Sequence, residues 1–174
     1  MATPASSPTS SALNTGKVQG RRKLNFSRPE DAIADARALA AAEAAGKLER
    51  LGNWSPGQCF GHVAAFIDYA FDGYPPNMPT PPWFIVIMAR LFKRRLLKGF
   101  PAGMRLKGVE GGTLGIEPIS TAEGLTRLES AFARLARSAP TKPNLIFGVM
   151  THDEWLVMHL RHAELHQSFL RVRA

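Results

Sequence analysis

Four capping boxes punctuate the chain: Ser27-x2-Glu30, Ser55-x2-Gln58, Ser120-x2-Glu123 and Thr151-x2-Glu154. In each, the hydroxyl can accept from the amide three residues on while the acidic or amide side chain reaches back to the cap. Each box opens a stretch of helical period. Pro29 and Pro56 follow their caps where a missing amide proton costs little. Met150 and Trp155 are spaced as a hydrophobic staple on the last box. The pattern predicts helices near residues 28–45, 55–72, 121–138 and 151–171. That is an all-α fold, a four-helix bundle.

Between the second and third helices lies a long crossover, Gly73 to Ile119, beginning with the proline-rich Tyr74 to Pro82. A connection of that length can run the whole bundle, so those two helices need not be antiparallel neighbours. Inside it, Trp83 to Lys98 reads as an extra helix, apolar first and then strongly basic. The favoured placement has it lying over the mouth of the bundle with its lysines and arginines in water. An anionic membrane surface or nucleic acid is the alternative, kept open by the net charge of +8. The aromatics cluster with aliphatics rather than alternating with charges, which argues against a single-strand stacking platform. The expectation is no specific nucleic acid and no membrane-surface role. Ile116 to Ile119 and Leu145 to Val149 are too short to read as strands.

With 45% hydrophobic residues among 174, the chain has enough apolar side chains for one core. The domain is expected over residues 21–174. Residues 1–20 are rich in Ser, Thr, Ala and Pro without periodicity and read as a disordered leader. Arg21-Arg22 is followed by a charged helix start, so a twin-arginine signal is rejected. The longest apolar run, Trp83 to Ala89, is far short of the roughly 20 residues of a membrane span. A single cysteine, Cys59, excludes an internal disulfide framework and suits a reducing cytoplasm. It reads as a small core residue rather than a reactive thiol.

Three histidines share one stripe of the last helix, in Trp155-x3-His159-x2-His162-x3-His166-x2-Phe169. This alternating 4 and 3 spacing is that of a buried seam, which normally takes Leu or Ile. Imidazole is costly there unless its nitrogens find partners. One turn rises about 5.4 Å, so His162 and His166 can close on one ion, and so can His159 and His162. His159 and His166, seven apart, are separated by about 10.5 Å of axis and cannot comfortably do so. A third ligand must come from another helix, and far upstream there is only His62, with Gln58 and Phe66 on its own face. His62, His162 and His166 are the candidate triad. A set of core histidines bonded to carbonyls is the competing reading. His159 is left as a neighbouring or seam residue, and His152, in the first turn, is expected in solvent. Tyr69, seven residues after His62, is either a polar group supporting the site or a core aromatic with its hydroxyl at the rim.

Trp54-Ser-Pro-Gly-Gln58-x3-His62, with Leu160-Arg-His162-x3-His166-Gln-x-Phe169, resembles the DinB/YfiT-like superfamily of four-helix metalloenzymes. The closer likeness is to a bacterial branch of unknown function, whose pattern is matched by Phe147-Gly148, Thr151, Glu154-Trp155, His162 and His166. The resemblance spans about residues 20–174. It implies a metal held by one histidine of the second helix and the pair of the fourth, the same triad. Some relatives are thiol-dependent S-transferases or maleylpyruvate isomerases, in which the metal presents a thiolate. The expectation is a divalent transition metal (Zn, Ni or Fe), with a low-molecular-weight thiol as a further cofactor, acting on a small-molecule substrate by S-transfer or hydrolysis. The rival is a noncatalytic basic bundle that binds a membrane surface, nucleic acid or a protein. A homodimer is compatible with either.

Overall fold

The structure is a computed structural model describing residues 13–106, 109 and 112–173. Its elements are α1 (Pro29–Ala44), β1 (Leu48–Arg50), α2 (Pro56–Asp72), α3 (Trp83–Leu91), α4 (Lys93–Leu96), α5 (Thr121–Arg137), α6 (His152–Gln167) and β2 (Leu170–Val172). The all-α reading holds. The long helices α1, α2, α5 and α6 form the bundle, and the crossover carries the two short ones.

Two of the four capping boxes form in full. Ser55 and Gln58 exchange hydrogen bonds at 3.2 and 3.0 Å, and so do Thr151 and Glu154 at 3.2 and 3.0 Å. At α5 only Ser120 caps, because Glu123 turns to Arg127. At α1 the cap is displaced by one residue from Ser27. Arg28 is the cap residue, and the Asp31 carboxylate accepts from the amides of Ser27 and Arg28 at 2.9 and 3.2 Å.

Around the bundle α1 packs on α5, α5 on α2, α2 on α6, and α6 on α1, leaving α1 and α2, and α5 and α6, barely touching. The first turn of α2 meets the first turn of α5 at Gly57 and Gly124. At the other end Arg134 of α5 pairs with Asp68 and Asp72 of α2 at 3.2 and 2.6 Å. Helices α2 and α5 are therefore parallel neighbours. Only a connection that travels the length of the bundle can join them, which explains the crossover. Helix α6 runs the other way against α2, bringing its last turns to the first half of α2.

Two expectations need correcting. The last helix ends at Gln167, where the chain straightens into β2 and pairs antiparallel with β1, Leu48 opposite Val172 and Arg50 opposite Leu170. Pairing with β1, supported by Arg171 on Glu49 at 2.7 Å, wins over four more helical residues. The extra helix is broken at Phe92 into α3 and α4. Lys93 then reaches down to the Glu154 carboxylate at 2.7 Å and the Val149 carbonyl at 3.2 Å instead of standing in water.

Of the expected leader, residues 1–12 lie outside the described residues. Residues 13–20 run along the body, with Leu13 exchanging hydrogen bonds with the Asn53 amide group and a short 3-10 turn at Thr15–Lys17. Further on, Arg22 forks onto Asp35 with two 2.7 Å contacts and reaches the Gln167 carbonyl at 3.0 Å. This bidentate pair joins the segment before α1 to α1 itself and to the end of α6.

The core is built from Leu39, Phe60, Ile67, Leu128, Phe132, Leu135 and Trp155. Cys59 is part of it; burial pushes its thiol up to about 12, which suits a packing role. The Phe147-Gly148 motif proves to be the turn into α6. Asn144 accepts from the amides of Ile146 and Phe147, Phe147 is buried, and Gly148 takes a φ of +70°. Met150 and Trp155 are both buried beneath it. His152 is only partly in solvent: its Nε2 lies 2.6 Å from the Leu135 carbonyl and ties α6 to the end of α5.

Candidate metal centre

His62 sits two turns into α2, where the Ser55 cap and Pro56 fix the start of the helix. His162 and His166 sit in the last turns of α6. The antiparallel packing of these helices brings the three rings to one point, and one ligand atom from each lies within 4.8 Å of the others. The Nε2 atoms of His62 and His162 are 3.1 Å apart. Two donors on one ion with bonds of about 2.1 Å stand roughly 3.0 to 4.2 Å apart, so this pair already has the spacing of two ligands on one ion. His62 is buried, and His162 and His166 keep part of their surface in solvent.

The tautomers can be worked out. Nδ1 of His62 lies 2.8 Å from the Leu114 carbonyl, which can only accept, so Nδ1 carries the proton and Nε2 presents its lone pair to the site. With no ion, the 3.1 Å contact requires Nε2 of His162 to donate the proton between the two rings. A cation there would stand in place of that proton.

All three rings are held neutral, as a metal ligand must be. Burial takes His62 down to about 4, against the opposing pull of its bond to Leu114. Burial also drives His162 well below its ordinary value, helped by His166, His62 and His159. His166 is lowered in the same way, with His62 and the Arg21 guanidinium adding to burial.

The loop that supplies the Leu114 carbonyl is pressed onto α2. Gly115 has a φ of +66°, and a Cβ there would stand 2.9 Å from Cβ of Ala65. The amide group of Gln58 holds the same loop through the Ile116 carbonyl at 3.0 Å. Thus Gln58, expected only to share the face of His62, acts as a tie for the loop that orients it. Replacing Gly115 by Val is expected to lift the loop, free the His62 ring and weaken metal binding by about 10- to 100-fold in competition with a chromophoric chelator. Unchanged affinity would show that the carbonyl does not matter.

An aromatic collar surrounds the rings. Trp54 stacks on His166 at 4.8 Å and 16°, and its ring centre is 4.9 Å from His62. Phe66 stands 4.6 Å from His62 and 5.3 Å from His162, and Phe100 stands 6.5 Å from His162. Phe66 was expected on this face. Trp54 and Phe100 were not assigned to the site. A bulky aromatic one residue before a helix cap was the available signal for Trp54, whereas Phe100 arrives from the crossover without one.

His159 does not join the three. It is buried, stacks parallel on Trp155 at 5.9 Å, and lies 6.4 Å from His162. Neither ring nitrogen has a partner among the described residues, and burial lowers it to about 3. Tyr69 packs beside Phe66 at 5.6 Å, and its hydroxyl makes no hydrogen bond to the histidines. It reads as the aromatic at the rim.

No curated protein and no solved structure matches the chain. One family model does, over residues 18–173, the span that holds every bundle helix and all three converging histidines. The chain therefore belongs to the family described as protein of unknown function DUF1569.

Proposed function

We propose that this chain is a metal-dependent enzyme acting on a small molecule, with a divalent transition metal held by His62, His162 and His166. The observation that carries this reading is the convergence of three neutral imidazoles from two helices, with one of them oriented by a carbonyl. Core histidines satisfied by packing have no need to bring their ring nitrogens together. In this reading the family falls within the DinB/YfiT-like superfamily, and the single buried cysteine suits a reducing cytoplasm. Among the described residues no helix is long and apolar enough to cross a membrane.

A bound divalent ion such as Zn, Ni or Fe would supply a nucleophile at neutral pH by lowering the pKa of a water or a low-molecular-weight thiol. The chain's own groups do the rest. Leu114 keeps the proton of His62 on Nδ1, so Nε2 stays available. Trp54 and Phe66 hold the rings in place and keep water from their apolar side. Arg21, fixed to Ser168 Oγ at 2.9 and 3.0 Å, adds positive charge that opposes protonation of His166.

The test is turnover by reconstituted protein on two panels, activated esters in water and soft electrophiles with a small thiol. Activity on either panel is expected to fall about a hundredfold or more on chelation or in His62→Ala, and to return when metal is restored to the wild type. Turnover indifferent to chelation would sink the proposal. Which panel responds decides between hydrolysis and thiol transfer.

A further inference from the structure

The crossover between α2 and α5 has a charge and an exposure unlike the rest of the molecule. From Gly73 to Val109 the sequence holds seven of the chain's 22 Lys and Arg and none of its 14 Asp and Glu. Nearly all of the net charge of +8 therefore resides there. On α3 the apolar side chains face outward: Trp83 is 75% exposed, Phe84 54%, Ile87 48%, Met88 50% and Leu91 72%. Among the described residues nothing covers them. Scattered exposed apolar groups are ordinary, but with Ile85 there are six on one nine-residue helix, a patch that asks for an occupant.

The patch is held firmly. Ala89 and Leu97 are buried in the core, and Lys93 is tied to Glu154 and the Val149 carbonyl. Immediately beyond it the exposed Arg94, Arg95 and Lys98 border a basic hollow. Tryptophan, phenylalanine and leucine beside a cluster of Lys and Arg are what the boundary between headgroups and acyl chains accommodates.

We infer that α3 and α4 seat the protein on an anionic lipid bilayer, with the α3 side chains in the headgroup boundary and Arg94, Arg95 and Lys98 on lipid phosphates. Nucleic acid would meet the cations and leave Trp83 and Leu91 in water. A second copy docked face to face would bring two of these basic clusters together. A bilayer satisfies both halves of the surface at once. This inference stands on residues outside the metal centre and does not depend on it.

The experiment is flotation of the full chain with vesicles of phosphatidylcholine alone and of phosphatidylcholine with phosphatidylglycerol. Wild type is expected to float with the anionic vesicles, with a blue shift in fluorescence that is lost in Trp83→Ser. Neutralising Arg94, Arg95 and Lys98 to Ala should weaken binding by roughly fivefold for each cation. Trp83→Ser combined with Leu91→Ser should weaken it about tenfold or more at unchanged salt, with an unaltered melting temperature because both sites are exposed. The inference is overturned if wild type stays with the soluble fraction, or if binding ignores Trp83 and Leu91 and follows salt alone, as for a polyanion. It is also overturned if the chain is a dimer that the Trp83 and Leu91 changes dissolve, which would give the face to a second copy.

Discussion

Acidifying the metal-free protein from pH 7 to pH 5 is expected to remove several kcal/mol of stability and bring it to the edge of unfolding. The cause is four histidines held as neutral rings, two of which, His62 and His159, are fully buried. His62 and His159 titrate at about 4 and about 3 in the folded state, against an ordinary value near 6.5 once unfolded, and His162 and His166 are lowered in the same direction. Well above pH 6.5 neither state takes up protons at these rings, so stability is flat. Below it the unfolded chain binds protons that the folded chain refuses, and stability falls until the folded values are reached. By pH 5 His62 and His159 alone lose about 2 kcal/mol each, a large part of a typical domain's stability. Glu164, whose half-buried carboxyl is raised, acts with the opposite sign, since protonation of its folded form is favoured. Asp68, raised by burial as well, acts in the same direction, and two carboxylates do not offset four imidazoles. Urea midpoints between pH 8 and pH 4.5 check this, and a midpoint unchanged from pH 7 to pH 5 would refute it. A bound ion competes with these protons, so metal-loaded protein should hold out to lower pH.

The second large effect is Gly57→Ala. A Cβ at Gly57 would lie 2.3 Å from the Ile119 carbonyl oxygen and 2.7 Å from that of Ser120. A Cβ at Gly124 would lie 2.5 Å from the Gly57 carbonyl. These are backbone atoms, so relief requires α2 and α5 to move apart. Alanine within a helix would otherwise stabilise by up to about 1 kcal/mol, but the clash should win by about 3 kcal/mol. The melting temperature should drop by roughly 6 to 12 °C. Metal affinity should fall as well, because the first turn of α2 positions Trp54 and His62. Gly99→Ala, where a Cβ meets nothing within 4 Å, is the control and should stay within about 0.5 kcal/mol. Equal stability of the two variants would show that the helices tolerate separation.

The same residues show how far the sequence could be read. Helix starts were legible because capping is local chemistry: Ser55, Ser120 and Thr151 cap where their spacing predicts. Arg28 for Ser27 is a slip of one residue, because the Asp31 carboxylate takes the amides of both Ser27 and Arg28. The convergence of His62, His162 and His166 was legible because an i, i+4 pair must share a face and His62 was the one distant histidine. The β1–β2 pairing was not, since three residues on each side carry no period. The crossing at Gly57 and Gly124 depends on which helices meet, and one chain of letters does not say that. On α3 the composition was plain, but its orientation is a tertiary fact. The sequence favours a helix over the mouth of the bundle with its cations in water, which holds for Arg94, Arg95 and Lys98, whereas the structure ties Lys93 down and turns Trp83 and Leu91 outward.

The central claim is that His62, His162 and His166 hold one ion. Elemental analysis of protein purified without a histidine tag and reconstituted with Zn or Ni tests it most directly, with wild type, His166→Ala and His159→Ala side by side. The account predicts close to one ion per chain in wild type and in His159→Ala, and none above background in His166→Ala. Wild type that stays empty after reconstitution, or His166→Ala that retains a full complement, would contradict it.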